Sequence, residues 1–210
     1  MKFVKRQKDL CYFFPKSFNL KNIKFQKLKI MYGIVNKAIQ GLVKENFGED
    51  AWEKVKLKSG VAHNSFLSNE SYPDEETFKL AGAASEVLNL PLEQVLIAFG
   101  EYWVLKTGLE HYGSLMRSGG DNLKEFLVNL PNFHSRVMLI YRNITPPEFR
   151  ISDIENNSLQ VHYYSQRQGL KYFVYGLIQG LGKMYKVSVK TTIIKSREDG
   201  YDHDIFFVSW

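Results

Sequence analysis

The sequence predicts an α+β domain in which helices come first and a small antiparallel sheet follows. Apolar residues recur at helical spacing over much of residues 32–141. Pro146 and Pro147 then interrupt the pattern, because neither can continue a helix. Beyond them apolar residues alternate with polar ones, as in half-buried strands. This change of period predicts a helical subdomain followed by a sheet subdomain.

The helical part divides at residues that are typical of helix ends. Pro91 and Pro131 are interpreted as helix starts, since a first-turn proline has a suitable φ and lacks an amide hydrogen that would go unpaired. Acidic residues after Pro73 indicate another start. We expect helices over 32–47, 51–58, 76–89, 91–107, 123–129 with Asp121 as its cap, and 131–141.

The second part predicts strands around one helix. Alternation predicts strands at 149–151, 159–163, 187–193 and 205–210, with a helix over 168–183 and a turn at 197–200. That helix holds Gly176, Gly180 and Gly182, whose spacing superficially resembles a phosphate loop. No strand leads directly into them, so helix packing is the expected role.

Composition is typical of one domain with a large core. The chain has 210 residues, of which 44% are apolar and 14% aromatic. No run of 18 apolar residues occurs, so membrane insertion is not expected. The single cysteine, Cys11, excludes an internal disulfide and fits a cytoplasmic protein.

The positive charge belongs to the start of the chain. Residues 1–30 carry nine basic side chains and one acidic one, which gives them a charge of +8. Since the whole chain has a net charge of +6, residues 31–210 carry −2. No nucleic-acid partner is therefore expected for the domain. Residues 1–30 are either a basic arm for a membrane surface or nucleic acid, or sequence upstream of a true start at Met31. We favour the second interpretation, which makes 31–210 the domain.

His134 stands in an apolar helical segment and has two interpretations. A lone histidine there is more often a hydrogen-bonded core residue than a ligand. None of the other four histidines is spaced to form a metal pair with it. One protein ligand is too few for zinc but sufficient for haem iron, since a porphyrin supplies four nitrogens.

Tyr163, Ser165 and Arg167 alternate along an extended segment. On a strand they would share one face, about 7 Å apart. Two hydroxyls and a guanidinium fork can hold carboxylates. A solvated strand face is the alternative interpretation.

Together and in this order, these segments resemble the haem–nitric oxide/oxygen-binding (H-NOX) domain family, which includes the sensor domain of soluble guanylate cyclase. Residues 31–38 are similar to the family's start, residues 129–137 to its proximal-histidine helix and residues 200–206 to its C-terminal strand. Tyr163-x-Ser165-x-Arg167 matches its propionate-binding motif. The resemblance covers residues 31–210.

The resemblance implies that haem b lies between the two subdomains without a covalent bond. His134 would be the Fe(II) ligand, Pro147 would press on the porphyrin, and Tyr163, Ser165 and Arg167 would hold the propionates. It further implies that nitric oxide weakens the iron–His134 bond. Release of His134 and relaxation against Pro147 would then let the subdomains rotate.

The resemblance also bears on which gas is bound. Oxygen-binding relatives place a tyrosine on the helix after the propionate motif, and the matching residue here is Phe173, which has no hydrogen-bond donor. Tyr172 lies about 100° around a helix and should point elsewhere, but a shift of one residue in the match would bring it into the pocket. Ile34 and Leu177 are expected pocket walls, whereas Trp103 is either core or a pocket residue with a donor. We expect an apolar pocket that favours nitric oxide, and also carbon monoxide, over oxygen.

The predicted function is a stand-alone gas sensor and not an enzyme. The chain ends at Trp210 without a cyclase or kinase segment, so a partner such as a histidine kinase or a cyclic-di-GMP enzyme is expected to receive the signal. Two alternatives stay open. One is an oxygen-binding haem protein, either a carrier or a sensor, and the other is a basic-tailed adaptor without haem, which would be colourless.

Overall fold

The computed structural model describes residues 30–140 and 147–210. Nearly all of the predicted basic extension, together with Cys11, lies outside the described residues. So does the predicted break at Thr145 and Pro146.

The described chain begins with helices and ends with a sheet. The helical part consists of β1 (Ile30–Tyr32), α1 (Gly33–Phe47), α2 (Glu49–Ser59), β2 (Ser71–Pro73), α3 (Asp74–Leu88), α4 (Leu92–Tyr102), a π-helical turn (Trp103–Gly108), α5 (Leu109–Arg117) and α6 (Leu123–Ile140). The second part consists of β3 (Glu148–Ser152), β4 (Ser158–Tyr164), α7 (Lys171–Met184), β5 (Lys190–Lys195), a 3-10 turn (Arg197–Asp199) and β6 (Asp204–Ser209).

The strands form two antiparallel sheets. β1 pairs with β2, and the larger sheet has the order β3-β4-β6-β5. In its register Tyr163 lies opposite Phe149 on one side and opposite Asp204 on the other. The predicted α+β architecture is confirmed. None of the described helices is long and apolar enough to cross a membrane.

Two apolar cores stabilise the fold. The first lies among α1 to α4 around Trp52, Val55 and Leu80, all at most 1% exposed. The second lies among the larger sheet, α6 and α7 around Phe126 and Phe206. Phe173 of α7 packs against the first core at the α4–α7 contact, where its ring centroid is 4.8 Å from that of Phe99.

Glycines let α4 and α7 approach through their backbones. A methyl group at Gly100 would overlap the carbonyl oxygen of Phe173, and one at Gly176 would overlap that of Ile97. A methyl at Gly180 would press on Val104, and one at Gly182 would press on Val189. These glycines pack the helix, as predicted, and do not form a phosphate loop.

The predicted break between two helices at Asn129 and Pro131 is wrong. α6 is one helix from Leu123 to Ile140 with Pro131 inside it. Its apolar face continues across the proline, because Leu127, Leu130 and Phe133 all pack into the same core. That burial outweighs the backbone hydrogen bond that a proline cannot donate.

The predicted cap of this helix is also wrong. The Asn122 carboxamide oxygen, and not Asp121, accepts the Glu125 backbone N–H at 2.9 Å. The Glu125 carboxylate accepts the Asp121 backbone N–H at 2.9 Å in return. Asn122 is therefore the N-cap residue, and Glu125 also binds the residue before the cap.

Other predicted bounds shift by a few residues. The helix predicted to run to residue 107 is α-helical only to Tyr102 and continues as the π-helical turn. Val187 and Val189 precede β5, although they pack into the second core. The sequence analysis did not predict α5 or the three-residue strands β1 and β2.

Candidate functional site

A cavity of about 250 Å³ lies between the helical part and the sheet. Its walls come from β1, α1, α3, α4, the π-helical turn, α5, α6, β3, β4 and α7, and most of the side chains are apolar. His134, Tyr163 and Arg167 are among the few polar exceptions. Such an apolar enclosure with a few convergent polar groups is typical of a ligand site.

His134 reaches this cavity from α6. Its Nε2 is buried and has no hydrogen-bond partner among the described residues. The ring meets Phe149 of β3 edge to face, with centroids 5.3 Å apart. Burial lowers the pKa of the imidazole to about 4, because water no longer solvates the charged form. The ring is therefore neutral at physiological pH and can offer a nitrogen lone pair to a metal.

The described residues offer no multidentate protein site for a metal ion. No group of three histidine, cysteine, aspartate or glutamate side chains in that part of the chain is arranged to hold a metal ion. A metal at His134 would need other ligands, and a porphyrin supplies four.

The polar end of the cavity is not built as a single strand face, and this prediction is corrected. β4 ends at Tyr164, and residues 166–169 form a bend before α7. Tyr163 and Arg167 line the cavity, but Ser165 does not. Its hydroxyl instead accepts the Arg167 backbone N–H at 3.0 Å. The bend includes Gly169 at φ +74°, and Arg167 lines the cavity from this bend rather than from a strand.

Arg167 is held by a residue that the sequence analysis did not assign to the site. Its Nε lies 2.7 Å from Oδ2 of Asp74, and its Nη2 lies 3.2 Å from Oδ1. The same Nη2 donates to the Ile30 carbonyl oxygen at 2.8 Å. Asp74 stands in the first turn of α3, where sequence reasoning assigned acidic residues to the helix dipole. The pair spans 93 residues, so no local pattern could reveal it.

The remaining predicted residues also line the cavity. Phe173 lies between Phe99 and Trp103, with ring centroids 4.8 Å and 6.5 Å away. Trp103 both lines the cavity and meets Phe99 edge to face, so it belongs to the core and to the pocket. The other predicted site residues, Ile34, Leu177 and Pro147, also line the cavity.

Tyr172 does not line the cavity. The Lys171 ammonium lies 5.2 Å from its ring centroid. Phe173, and not Tyr172, therefore lines the cavity from this turn of α7, together with Val174. The sequence analysis did not single out Tyr112 and Thr77, whose hydroxyl-bearing side chains also line the cavity.

Residues 32–193 match the family described as haem-NO-binding. The chain belongs to the haem-NO-binding family. This finding confirms the predicted resemblance and the predicted cofactor, haem.

Soluble guanylate cyclases are among the proteins with similar sequences. The chain is 31% identical over 156 residues to soluble guanylate cyclase gcy-32 of Caenorhabditis elegans. The aligned region covers 73% of the chain and 23% of that protein. It is 27% identical over 170 residues to soluble guanylate cyclase 89Da of Drosophila melanogaster, covering 80% of the chain and 26% of that protein. The chain thus matches about a quarter of the length of these relatives.

Solved structures share the fold. An H-NOX protein from S. oneidensis in the Fe(II)NO ligation state superposes with a TM-score of 0.76 at 21% identity, over 85% of this chain and 98% of that one. The Fe(II) unliganded H-NOX protein from K. algicida superposes with a TM-score of 0.75 at 23% identity, over 85% and 96% of the two chains.

The residues present fit haem. A buried, unpartnered imidazole nitrogen opens onto an apolar cavity. A guanidinium and a phenol, which suit carboxylates, line the same cavity.

Proposed function

We propose that the chain is a haem-based nitric oxide sensor that binds its gas and does not act as an enzyme. The observation that carries the proposal is the unpartnered Nε2 of His134, buried against an apolar cavity. His134 would hold the haem iron, Tyr163 and Arg167 would hold the propionates with Ser165 supporting the Arg167 backbone, and Pro147 would contact the porphyrin. The bound haem supplies an iron that coordinates a diatomic gas.

The gas is proposed to meet Phe173, Ile34, Leu177 and Trp103. Bound oxygen gains from a hydrogen-bond donor, because its outer atom carries partial negative charge, whereas nitric oxide and carbon monoxide gain much less. Phe173 offers no donor, and Tyr172 lies outside the cavity. The α7 wall therefore favours nitric oxide and carbon monoxide, while Trp103, Tyr112 and Thr77 bring N–H or O–H groups to other parts of the cavity. A mutant of the H-NOX domain from Shewanella oneidensis has been solved in the Fe(II)CO ligation state.

The signal is proposed to travel through α6 and β3. These two elements pack together, and His134 meets Phe149 directly across that contact. Movement of His134 on gas binding would therefore shift α6 against the sheet and bias two arrangements of the subdomains. We propose a separate partner, such as a histidine kinase or a cyclic-di-GMP enzyme, as the receiver.

Absorption spectra of the purified, reduced protein test the proposal. Spectra are recorded without gas, in air, with carbon monoxide and with nitric oxide. We expect a haem spectrum that changes with nitric oxide and carbon monoxide but forms no stable oxygen complex in air. A stable oxygen complex would favour the oxygen-binding alternative. Absence of any haem after expression with haem supply would refute both.

A further inference from the structure

Arg197 ties together the loop that carries the propionate residues. It stands in the 3-10 turn between β5 and β6, far along the chain from that loop. Its Nη1 donates to the carbonyl oxygen of Ser165 at 2.7 Å and to that of Arg167 at 3.1 Å. One guanidinium therefore holds the backbone on both sides of residue 166.

Arg197 is itself fixed to the sheet. Its backbone N–H donates to Oδ1 of Asp204 at 2.9 Å, and Asp204 is only 6% exposed. Asp204 lies opposite Tyr163 in the β4–β6 register. The 3-10 turn is closed by Ser196, whose hydroxyl accepts the Glu198 backbone N–H. The guanidinium thus has a defined position relative to the strand that carries Tyr163.

The loop needs such a clamp because it has left the sheet. Residues 165–170 lie between β4 and α7, outside the strand pairing. A carbonyl oxygen that leaves a ladder must find another donor or remain solvated. A guanidinium is planar and has five N–H donors, so it can serve neighbouring carbonyls while its shape stays fixed.

The clamp also lies close to the carboxylate-binding end of the cavity. Burial raises the pKa of the Tyr163 phenol, while the neighbouring Ser165 and the nearby charges of Arg167 and Arg197 oppose that effect. Both guanidinium groups therefore act on the same phenol. Arg167 lines the cavity and Arg197 does not, so Arg197 reaches the site through the loop backbone.

We propose that Arg197 is a positioning residue for the haem carboxylates. It holds the carbonyls of Ser165 and Arg167 so that the Arg167 side chain keeps the orientation that grips a propionate beside Tyr163. The inference rests on the proposed haem function and extends it to a residue outside the cavity.

The test measures haem dissociation from the reduced holoprotein into excess apomyoglobin for the wild type, Arg197→Gln, Arg197→Lys and Arg150→Gln. Arg150→Gln is the matched control, because Arg150 is an exposed arginine of β3 that pairs with Glu148. We expect dissociation about tenfold faster in Arg197→Gln, as for the loss of a hydrogen bond from a charged donor. Arg197→Lys should fall between it and the wild type, since an ammonium keeps the charge but lacks the fork. Arg150→Gln should match the wild type.

Resonance Raman spectra separate positioning from general loosening. The propionate bending mode should shift in Arg197→Gln while the iron–histidine stretch stays at the wild-type frequency. Wild-type dissociation rates in both Arg197 variants would overturn the inference, as would an equal shift of both Raman modes. If Arg197→Gln does not fold, Arg197→Lys decides by the same two measurements. Failure of the wild type to hold haem would instead refute the proposed function.

Discussion

Arg167 and Asp74 form a buried ion pair that joins the loop after β4 to the first turn of α3. The two side chains are 9% and 8% exposed, and the guanidinium Nε lies 2.7 Å from Oδ2. Arg167 also lines the cavity. The carboxylate-binding end of the site is therefore already organised by a carboxylate of the protein.

Asp74→Asn should destabilise the haem-free protein by about 3 kcal/mol, because removal of one partner leaves a buried charge uncompensated. The same substitution should lower the free energy of unfolding of the haem-bound protein by less, since a haem carboxylate can then pair with Arg167. Urea unfolding with and without haem measures both losses. Glu75→Gln is the control, as Glu75 lies on the same turn but is exposed beside Lys79. Equal losses with and without haem would contradict the proposed grip.

Phe173→Tyr should create an oxygen-binding protein. The added hydroxyl would extend from a ring that lines the cavity and supply the donor that bound oxygen requires. We expect a stable oxygen complex in the spectrum of the reduced variant in air. Tyr172→Phe removes a hydroxyl that lies outside the cavity and should leave gas selectivity unchanged. The opposite result, with Tyr172→Phe altering selectivity and Phe173→Tyr not, would show that Tyr172 faces the gas.

The haem-free protein should lose stability as the pH falls below about 6.5, the ordinary pKa of histidine. Burial lowers the pKa of His134 to about 4, so between these values the unfolded chain binds a proton that the folded chain does not. Stability should therefore drop by about 3 kcal/mol across this range and show no contribution from His134 above it. Urea unfolding at several pH values measures the free energy of unfolding as a function of pH. His134→Phe should lack the part of this pH dependence that comes from the imidazole. Identical slopes for both proteins would contradict a buried neutral imidazole.

Gly176→Ala should destabilise the protein by about 2 kcal/mol or more, since the methyl group would overlap the backbone of Ile97. Gly82→Ala is the matched control, because Gly82 lies in α3 with open space around it. It should stabilise the protein by about 0.5–1 kcal/mol through helix propensity. Thermal unfolding measures both changes. A harmless Gly176→Ala would show that the α4–α7 contact tolerates a wider spacing.

The period of apolar residues predicted the order of helices and strands because burial of one face determines most of these elements. The sequence also singled out His134, Tyr163 and Arg167, which all line the cavity. Short features escaped prediction: β1 and β2 hold three residues each, too few for a period. The rule that proline starts helices failed at Pro131, where packing on both sides keeps α6 continuous.

Contacts between residues far apart in the sequence could not be predicted either. The Arg167–Asp74 and Arg197–Ser165 contacts join residues 93 and 32 positions apart. Neither contact leaves a local pattern, since each arginine alone resembles any surface cation. The alternation of Tyr163, Ser165 and Arg167 predicted a single strand face, whereas β4 ends at Tyr164 and Ser165 does not line the cavity.

The spectrum of reduced His134→Gly tests the central claim most directly. His111→Gly is the control, because His111 lies on α5 and does not line the cavity. Loss of the axial imidazole should abolish the absorption band of histidine-ligated ferrous haem, and added imidazole should restore it. His111→Gly should keep the wild-type band. A wild-type band in His134→Gly without added imidazole would contradict the assignment of His134 as the iron ligand.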